Sequence, residues 1–248
     1  MKLPLLALLL LSSTAFAQDV SFKEIRSKAR TRFYNVQDTT IVYPIVVTKN
    51  STVSKLINEK IRAAIFDPAD EKSTLRKDLT NALNDGLINL SYEVTFKRNG
   101  ILSLNIYKEG CGAYCDSYNT YLNFDLGTGK SLDLSDLVED KKLDSFTNIV
   151  LRDKTDSLKK YKEEEKNNIG EHNIDSSAYQ WIIEQVDSNC IKSVNINEFI
   201  LSNNHLEIID PCEFPHVIRS QEPTYELKYS YHRLQSFLKP AYRKRLFR

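Results

Sequence analysis

The four cysteines are the residues of this sequence whose spacing most directly suggests chemistry. Cys111 and Cys115 enclose a short Gly-Ala-Tyr loop, whereas Cys190 and Cys212 lie farther apart in the later half of the chain. A structural zinc site needs four ligands, usually as two close pairs, and only one close pair is present. A redox pair favours Cys-x-x-Cys at the start of a helix, but here three residues intervene between two predicted strands. The spacing therefore favours disulfide bonds over a metal or redox site.

The pairing that we predict joins Cys111 to Cys115 and Cys190 to Cys212. An even number of cysteines in an exported chain is typical of a disulfide framework. The first bond would close a hairpin loop, and the second would join the two ends of a later predicted hairpin. A cross-pairing such as Cys115 with Cys212 would instead tie the two loops together, and this alternative stays open.

The sequence contains none of the common catalytic motifs. It has no Gly-x-Ser-x-Gly elbow, no His-Glu-x-x-His zinc helix and no Gly-x-x-x-x-Gly-Lys phosphate loop. Paired carboxylates are frequent, but glycoside hydrolysis needs two acids at a set separation across a cleft, which closeness in sequence does not supply. We therefore predict no catalytic residue, no metal ligand and no cofactor.

The histidines are scattered, and no two have the spacing of metal ligands: His172, His205, His216 and His232. His216 differs in context, because it follows Phe214 and Pro215 in a loop, PCEFPHV, that also carries a cysteine. Exposed loops with aromatic and polar residues are common contact sites, so Phe214, Pro215 and His216 are candidate binding residues. A purely structural role for His216 is the alternative.

The first 17 residues have the organisation of a secretory signal peptide. Lys2 precedes an apolar run over residues 3–11, and Ala15-Phe16-Ala17 has the small-x-small pattern of a cleavage site. The run is shorter than the roughly 20 residues of a membrane span, and no later segment could span a bilayer. We expect cleavage after Ala17 and an exported protein, either periplasmic or secreted.

The charge balance argues against a nucleic-acid partner. The chain has 34 basic and 33 acidic residues, and loss of residues 1–17 removes one lysine and no acid. Binding to phosphates needs an excess of positive charge, which this chain lacks. The basic segment 242–248 is the local exception, and such ends are usually solvated.

The pattern of apolar residues predicts an α+β fold, with an antiparallel sheet packed against helices. Residues 18–40 are polar and weakly patterned, which predicts a lead-in segment. Residues 41–85 form an N-terminal part with a strand over 41–47 and two helices, and residues 86–248 form the main part. The alternation in 87–98 indicates a half-buried strand that enters a hairpin at Asn99-Gly100.

The main part is predicted to continue as a three-stranded meander, a long helix and a later hairpin. The helix is expected to begin near Lys141 and to run past Tyr161, with a charged far end that is either a solvated face or a frayed loop. Asp175 is predicted to cap another helix. Strands over 194–201 and 205–209 form the later hairpin, and a final strand over 225–229 leads into a helix that Pro240 ends.

The segment ILSLNIYKEGCGAYCDSYNTYLNFDLGTGKSLDLSDL resembles the core of domain-of-unknown-function family 3298. The likeness lies in the strand over 102–106, the loop at 111–114, the Asn-Phe-Asp strand end at 121–125, the Thr-Gly turn, and the Leu-x-Leu-x-Asp-Leu motif. The earlier IVYPIV and INEKI stretches resemble the companion family 4163.

This resemblance implies an extracytoplasmic domain like those of the anti-sigma factors that sense lysozyme by binding it. Relatives carry histidine in the loop where Tyr114 stands, and the cysteines are extra. With no membrane span or sigma-binding segment expected, the leading hypothesis is an exported binding module at the cell envelope. Its ligand would be a lysozyme-like protein or a peptidoglycan fragment, and Tyr114 and Tyr118 join the candidate contact residues. The alternative is an enzyme acting on cell-wall glycan, either a hydrolase or a deacetylase type.

Overall fold

The strands of this computed structural model, which describes residues 20–28, 40–66, 73–167 and 176–247, belong to two sheets. The larger sheet has five strands in sequence order: β1 (Val20–Lys28), β2 (Thr40–Thr48), β3 (Leu87–Arg98), β4 (Ile101–Cys111) and β5 (Cys115–Asp125). Neighbouring strands are antiparallel except β2 and β3, which run parallel and pair at Ile41 and Leu90. The predicted signal peptide lies outside the described residues.

The predicted meander is formed by β3, β4 and β5. Asn99 and Gly100 join β3 to β4 with φ angles of 50° and 75°, as a type I′ turn requires. One face of the meander is apolar and includes Leu102, Leu104 and Ile106, all of which are buried. The α+β class is therefore confirmed, although the larger sheet is mixed rather than wholly antiparallel.

The strand β1 corrects the prediction of a lead-in segment over 18–40. It pairs with β2 along its whole length, from Val20 opposite Thr48 to Lys28 opposite Thr40. Sequence reasoning missed it because β1 is an edge strand with few inward side chains. Among these, Phe22 and Ile25 are only partly buried.

The connection from β2 to β3 contains two predicted helices, α1 (Ser51–Phe66) and α2 (Leu75–Asn84). The side chain of Asn50 accepts a hydrogen bond from the amide of Thr52 at 3.0 Å and so caps α1. The buried stripe of α1, with Val53, Ile57, Ile61 and Ile65, covers the apolar face of the larger sheet. The sheet crosses the predicted boundary near residue 85, because β2 pairs with β3.

The second sheet is a correction to the single sheet that the sequence predicted. It contains the later hairpin and the final strand, in the order β6 (Phe199–Leu201), β7 (His205–Ile208) and β8 (Leu227–Ser230). It lies against the opposite face of the meander, where Asn123 Nδ2 donates to the Phe199 carbonyl at 2.7 Å. The predicted strand over 194–201 is thus shortened to three residues.

The remaining α-helices follow the meander. They are α3 (Leu134–Leu137), α4 (Asp140–Asn167), α5 (Ser176–Gln185), α6 (Tyr231–Leu234) and α7 (Pro240–Leu246). All but α5 contribute residues to the core beneath the second sheet. The longest of them was predicted. The charged end of α4 is helical as far as Asn167. The proposed cap at Asp175 lies outside the described residues.

The basic C-terminal segment is a docked helix rather than a solvated end. Pro240 begins α7, where its missing amide costs no hydrogen bond. Arg245 Nε donates to the Asn99 carbonyl at 2.8 Å, and Arg245 Nη1 contacts Asp125 Oδ2 at 2.6 Å. These contacts fix α7 against the turn between β3 and β4.

A small third core lies at the far end of α4 and carries the loops of the candidate site. It contains Leu158, Ile182, Val186, Cys190, Cys212 and Phe214. The C-terminal end of α5 and the loop around Cys212 are therefore packed against the same helix. Within the described ranges, no helix is both long and apolar enough to cross a membrane.

Candidate functional site

The tip of the hairpin between β4 and β5 is closed by the disulfide between Cys111 and Cys115. The two residues are directly opposite in the strand register, with Cys111 buried and Cys115 exposed. The Cys111 amide donates to the Gly86 carbonyl at 2.8 Å. Gly86 has φ +100°, and a β-carbon there would collide with the Cys111 carbonyl. This close approach anchors the base of the tip against the turn before β3.

The second disulfide joins Cys190 to Cys212 and is buried in the third core. Cys190 ends a single π-helical turn, Val186–Cys190, which directly follows α5. The Ile191 amide donates to the Val186 carbonyl five residues earlier, at 3.3 Å. The structure thus contains the pairing that the sequence favoured, rather than a cross-pairing between the loops.

The two disulfide-bonded loops meet through an ion pair. Arg219, in the 3₁₀-helix His216–Gln221, approaches Asp116 Oδ1 with its Nη1 at 2.6 Å. The Tyr118 hydroxyl donates to Asp116 Oδ2 at 3.0 Å. This hydrogen bond, together with the Ser117 amide and Arg219, lowers the pKa of the Asp116 carboxyl below its usual value. Asp116 is therefore held as an anion between the loops.

A cleft of about 720 Å³ opens beside this contact. One wall is the first part of β5, with Asp116, Ser117 and Tyr118, and the other is the segment 211–215. The structure thus brings together the two loops that sequence analysis singled out separately. No sequence signal indicated this closeness, because 103 positions separate Asp116 from Arg219.

The candidate contact residues have different surroundings. Tyr114 and Tyr118 are 58% and 55% exposed at the hairpin tip, and Pro215 is exposed on the opposite wall. Phe214 is only 4% exposed and packs in the third core, although it also lines the cleft. Its amide donates to Glu222 Oε1 at 2.8 Å. The backbone of His216 begins the 3₁₀-helix, but its side chain lies outside what the structure describes.

A second cleft, of about 610 Å³, adjoins the first. The two clefts share Asn189, Pro211 and Glu213, and we call them together the acidic trough. Among the described residues, Arg219 is the one cation that lines the trough. Five carboxylates line it: Asp116, Glu198, Asp210, Glu213 and Glu222. Burial, and then the nearby charges of Asp210 and Glu213, raise the pKa of Glu198 above its usual value. The trough therefore has an excess of negative charge.

Lys154 of α4 forms a buried ion pair with Asp210, one of these carboxylates. Its Nζ lies 2.6 Å from Asp210 Oδ2 and 2.9 Å from the Ser193 carbonyl, and the lysine side chain is only 3% exposed. The Asn195 amide donates to Asp210 Oδ1 at 3.2 Å. Sequence analysis missed this pair, although Lys154 interrupts the buried stripe of α4 between Val150 and Leu158.

No three His, Cys, Asp or Glu side chains in the described ranges are arranged to hold a metal ion. Of the histidines, His205 Nε2 lies 3.8 Å from Glu207 on β7, and His232 is exposed on α6. His172 is outside the described residues. The arrangement of described side chains is thus an anionic surface cleft beside a hairpin tip that carries two exposed tyrosine rings.

Comparison with known proteins finds likeness at the level of fold. No protein-family model and no curated protein matches the sequence. A solved structure of a DUF3298 family protein from Pseudomonas aeruginosa PAO1 is 14% identical, with a TM-score of 0.54 over 90% of this chain and 95% of that one. A DUF3298 family member from Bacteroides fragilis NCTC 9343 is 12% identical, with a TM-score of 0.54 over 90% of this chain and 94% of that one. The chain therefore shares the fold of these two proteins along most of its length.

Proposed function

We propose that this protein is an exported binding module that acts at the cell envelope and binds its ligand at the acidic trough and the adjoining hairpin tip. The observation that carries the proposal is the exposure of Tyr114 and Tyr118 on a tip that the Cys111–Cys115 disulfide closes. Two disulfides among the described residues support an oxidising compartment, where such bonds persist.

Exposed tyrosines on a constrained hairpin are well suited to binding. A tyrosine ring contributes a large contact area, and its hydroxyl can also form hydrogen bonds. Tyrosine is enriched among the residues that dominate binding energy at protein interfaces. The Tyr118 hydroxyl is already held by Asp116, and the Lys108 ammonium lies 6.0 Å from its ring centroid. The tip is thereby ordered before any ligand arrives, which lowers the entropic cost of binding.

The ligand that we favour is a lysozyme-like protein, and a peptidoglycan fragment is the other candidate of this class. The carboxylates of the acidic trough complement a basic protein surface, and such complementarity speeds and orients association. A neutral glycan would gain less from this charge. The fold shared with two DUF3298 family proteins supports the sequence resemblance from which the lysozyme hypothesis came.

A second candidate function is an enzyme that acts on cell-wall glycan. The observation that favours it is the raised pKa of Glu198 beside Asp210 and Glu213. A carboxylic acid whose pKa is raised, close to a second carboxylate, is an arrangement that glycosidases use. Against this role, Asp210 is already bonded to Lys154 and to the Asn195 amide.

One experiment separates the two functions. The protein is incubated with hen egg-white lysozyme and, separately, with purified peptidoglycan, and both complex formation and released products are measured. A binding module forms a complex or inhibits lysozyme and releases no product. Released sugars or acetate would instead establish the enzyme. Loss of product in Glu198→Gln would then assign the acid.

A matched pair of variants locates the binding surface. Replacing both Tyr114 and Tyr118 with alanine should weaken the complex by at least about tenfold, as loss of two interface aromatics commonly does. Phe247→Ala is the control, because Phe247 is 42% exposed and follows α7, which is docked at the opposite end of β4. Equal effects of the double variant and the control would contradict the proposed surface.

A further inference from the structure

The outer edge of β5 is open beside the acidic trough. β5 is the last strand of its sheet, so only β4 pairs with it along its length. The Asn123 carbonyl accepts a hydrogen bond from the Leu132 amide at 2.8 Å and so points away from β4. The register between β4 and β5 has no shift, and backbone groups alternate sides along an antiparallel strand. The backbone groups of Asn119 and Tyr121 therefore also point outward.

These outward groups lack backbone partners in the part of the chain that the structure describes. The Ser117 amide is satisfied by its neighbour Asp116 Oδ1 at 2.9 Å, but no hydrogen bond reaches the outward amide and carbonyl of Asn119 or Tyr121. Asn119 is exposed and Tyr121 is partly buried. The gap ends at Ser131, which bridges to Phe124 and covers the rest of the edge.

The two edge strands of this sheet, β1 and β5, differ in their charged side chains. Proteins usually protect an edge strand with charged side chains, especially lysine. The edge strand β1 follows this rule, with exposed Lys23, Arg26 and Lys28. Along β5 between Cys115 and Tyr121 the sole charged residue is Asp116, which is engaged by Arg219. The β5 edge could thus accept a further strand, whereas charged side chains protect the β1 edge from such pairing.

The surroundings of the open edge determine what it can bind. The acidic trough runs alongside, since Asp116 and Ser117 form one of its walls. Glu198 lines the same trough, and its carboxylate, with that of Glu207, contributes to raising the pKa of Tyr121 after the larger effect of burial. Within the described residues, no cation forms an ion pair with Glu198 or Glu213. A strand entering here would meet unneutralised carboxylates.

We propose that the outer edge of β5, from Ser117 to Tyr121, binds an extended segment of a basic protein as an added strand. The segment's backbone would pair with Asn119 and Tyr121, and its lysine or arginine side chains would face Glu198 and Glu213 in the acidic trough. Strand addition of this kind takes affinity from main-chain hydrogen bonds and specificity from alternate side chains. The inference deepens the proposed function, on which it rests, by giving the partner's chemistry and its mode of binding.

The first test uses a synthetic ten-residue peptide of alternating lysine and threonine, with a glutamine-for-lysine peptide as its control. Hydrogen exchange of the protein is followed by NMR with and without each peptide. The lysine peptide should slow exchange of the Asn119 and Tyr121 amides by at least about tenfold, because both would gain hydrogen bonds. The glutamine peptide should produce much less protection. Absence of protection with the lysine peptide at saturation, or equal protection by both peptides, would overturn the inference.

The second test blocks one outward amide. Asn119→Pro removes a donor that β4 does not use, whereas Asn119→Ala keeps the amide and removes only the side chain. We expect the proline variant to bind the lysine peptide about tenfold more weakly, and the alanine variant to bind it like the parent protein. Equal affinities for the two variants would contradict strand addition. If the proline variant fails to fold, the exchange measurement on the unmodified protein decides alone.

The third test addresses charge. Glu213→Gln should weaken lysine-peptide binding several-fold at low salt, and the deficit should shrink at high salt, where exposed charges are screened. Glu163→Gln, at an exposed position on α4, is the control. Equal effects of both variants would show that only net charge matters, which contradicts a specific trough.

Lysozyme binding separates failure of this inference from failure of the proposed function. A lysozyme complex without protection of Asn119 and Tyr121 keeps the binding module and rejects strand addition. Protection by the lysine peptide without any lysozyme complex keeps strand addition and rejects the lysozyme-like partner. Concentration-dependent protection without ligand, with a dimer in sedimentation, would identify a second copy as the occupant and overturn the inference.

Discussion

Asp116 and Arg219 form a 2.6 Å ion pair that joins the β4–β5 hairpin tip to the 3₁₀-helix of the opposite loop. Each partner lies next to a disulfide-bonded segment, because Cys115 precedes Asp116 and the loop of Cys212 leads to the 3₁₀-helix. Two local covalent constraints are thereby connected by one electrostatic contact. Both residues of this ion pair line the acidic trough.

Acidification should open this contact. The pKa of Asp116 is lowered in the folded protein, so the anion persists below the unfolded value of about 3.9. The contribution of the pair is complete above that value and is lost as pH falls through the folded pKa. Amide exchange in His216–Gln221, corrected for the intrinsic pH dependence, should increase over this range. Asp116→Asn should show the faster exchange already at neutral pH, with little change in Tm because the pair is partly exposed to solvent. Unchanged exchange in the variant would show that the loops are held by their disulfides alone.

The buried pair of Lys154 and Asp210 should be important for stability. Asp210→Ala leaves an uncompensated ammonium in the core, and we expect it to lower the free energy of unfolding by about 3–5 kcal/mol. Adding Lys154→Met should recover much of this loss, because the buried charge is then removed as well. Urea unfolding measures both values. Lys159→Met, at an exposed ion pair of the same helix, should change stability by less than about 1 kcal/mol. If Asp210→Ala lowered the free energy of unfolding no more than Lys159→Met does, the buried-pair interpretation would be contradicted.

Gly86 should not tolerate a side chain, whereas Gly112 should. Gly86→Ala places a β-carbon against the Cys111 carbonyl and forces a non-glycine residue to a φ of +100°. Strain of this kind costs about 1–3 kcal/mol before the steric clash is added. Gly112→Ala meets no atom within 4 Å and should be close to neutral. Thermal unfolding of the two variants provides the comparison, and similar Tm values would disprove the close approach.

The two disulfides should contribute unequally to stability. Cys190 and Cys212 are 22 residues apart, and removing such a loop closure costs about 3 kcal/mol, against about 2 kcal/mol for the four-residue separation of Cys111 and Cys115. The Cys190/Cys212 double alanine variant also loses packing in the third core. Urea unfolding should therefore rank it below the Cys111/Cys115 double variant. The mass of the unreduced protein should be four hydrogens below that of the reduced form, and free thiols would refute the pairing.

Glu198→Gln should increase stability while it weakens binding. Because the folded pKa of Glu198 is raised, the folded state loses stability as pH rises from the unfolded value of about 4.3 through the folded one. Glutamine removes this penalty, so the variant should have the higher Tm at pH 7 and an equal Tm below about pH 4. The same variant should bind the lysine peptide less tightly. Glu163→Gln should change neither property, and a lower Tm for Glu198→Gln at pH 7 would contradict the unfavourable burial of this carboxylate.

The sequence predicted the elements whose signals are local. The Asn99-Gly100 turn and the stripe of α1 each depend on neighbouring residues alone, and the structure contains both. The alternation of β3 holds from Leu90 to Val94, but a register shift before Phe96 places that side chain in the other core. The edge strand β1 was missed because an edge exposes most of its side chains, which removes the alternation that marks a strand. Pro240 was predicted to end a helix, but the proline ring also favours the first turn of a helix, and in the structure Pro240 begins α7.

The site was harder to predict, because its contacts are distant in sequence. Asp116 meets Arg219, and Lys154 meets Asp210, across separations that no local pattern encodes. Phe214 shows the limit of composition, since an aromatic residue between two loop prolines can be a surface contact or a core residue. Phe214 is buried because it packs beside the Cys190–Cys212 disulfide. The sequence predicted this disulfide but not the residues that surround it.

The π-helical turn at Val186–Cys190 has a consequence for comparing this chain with its relatives. A π-turn is an α-helix that has gained one residue, and this extra residue rotates everything after it by roughly 100° around the helix axis. Cys190 faces Cys212 on the far side of that rotation. A relative with an unbroken helix would be one residue shorter here, so its alignment needs a single-residue gap before Cys190.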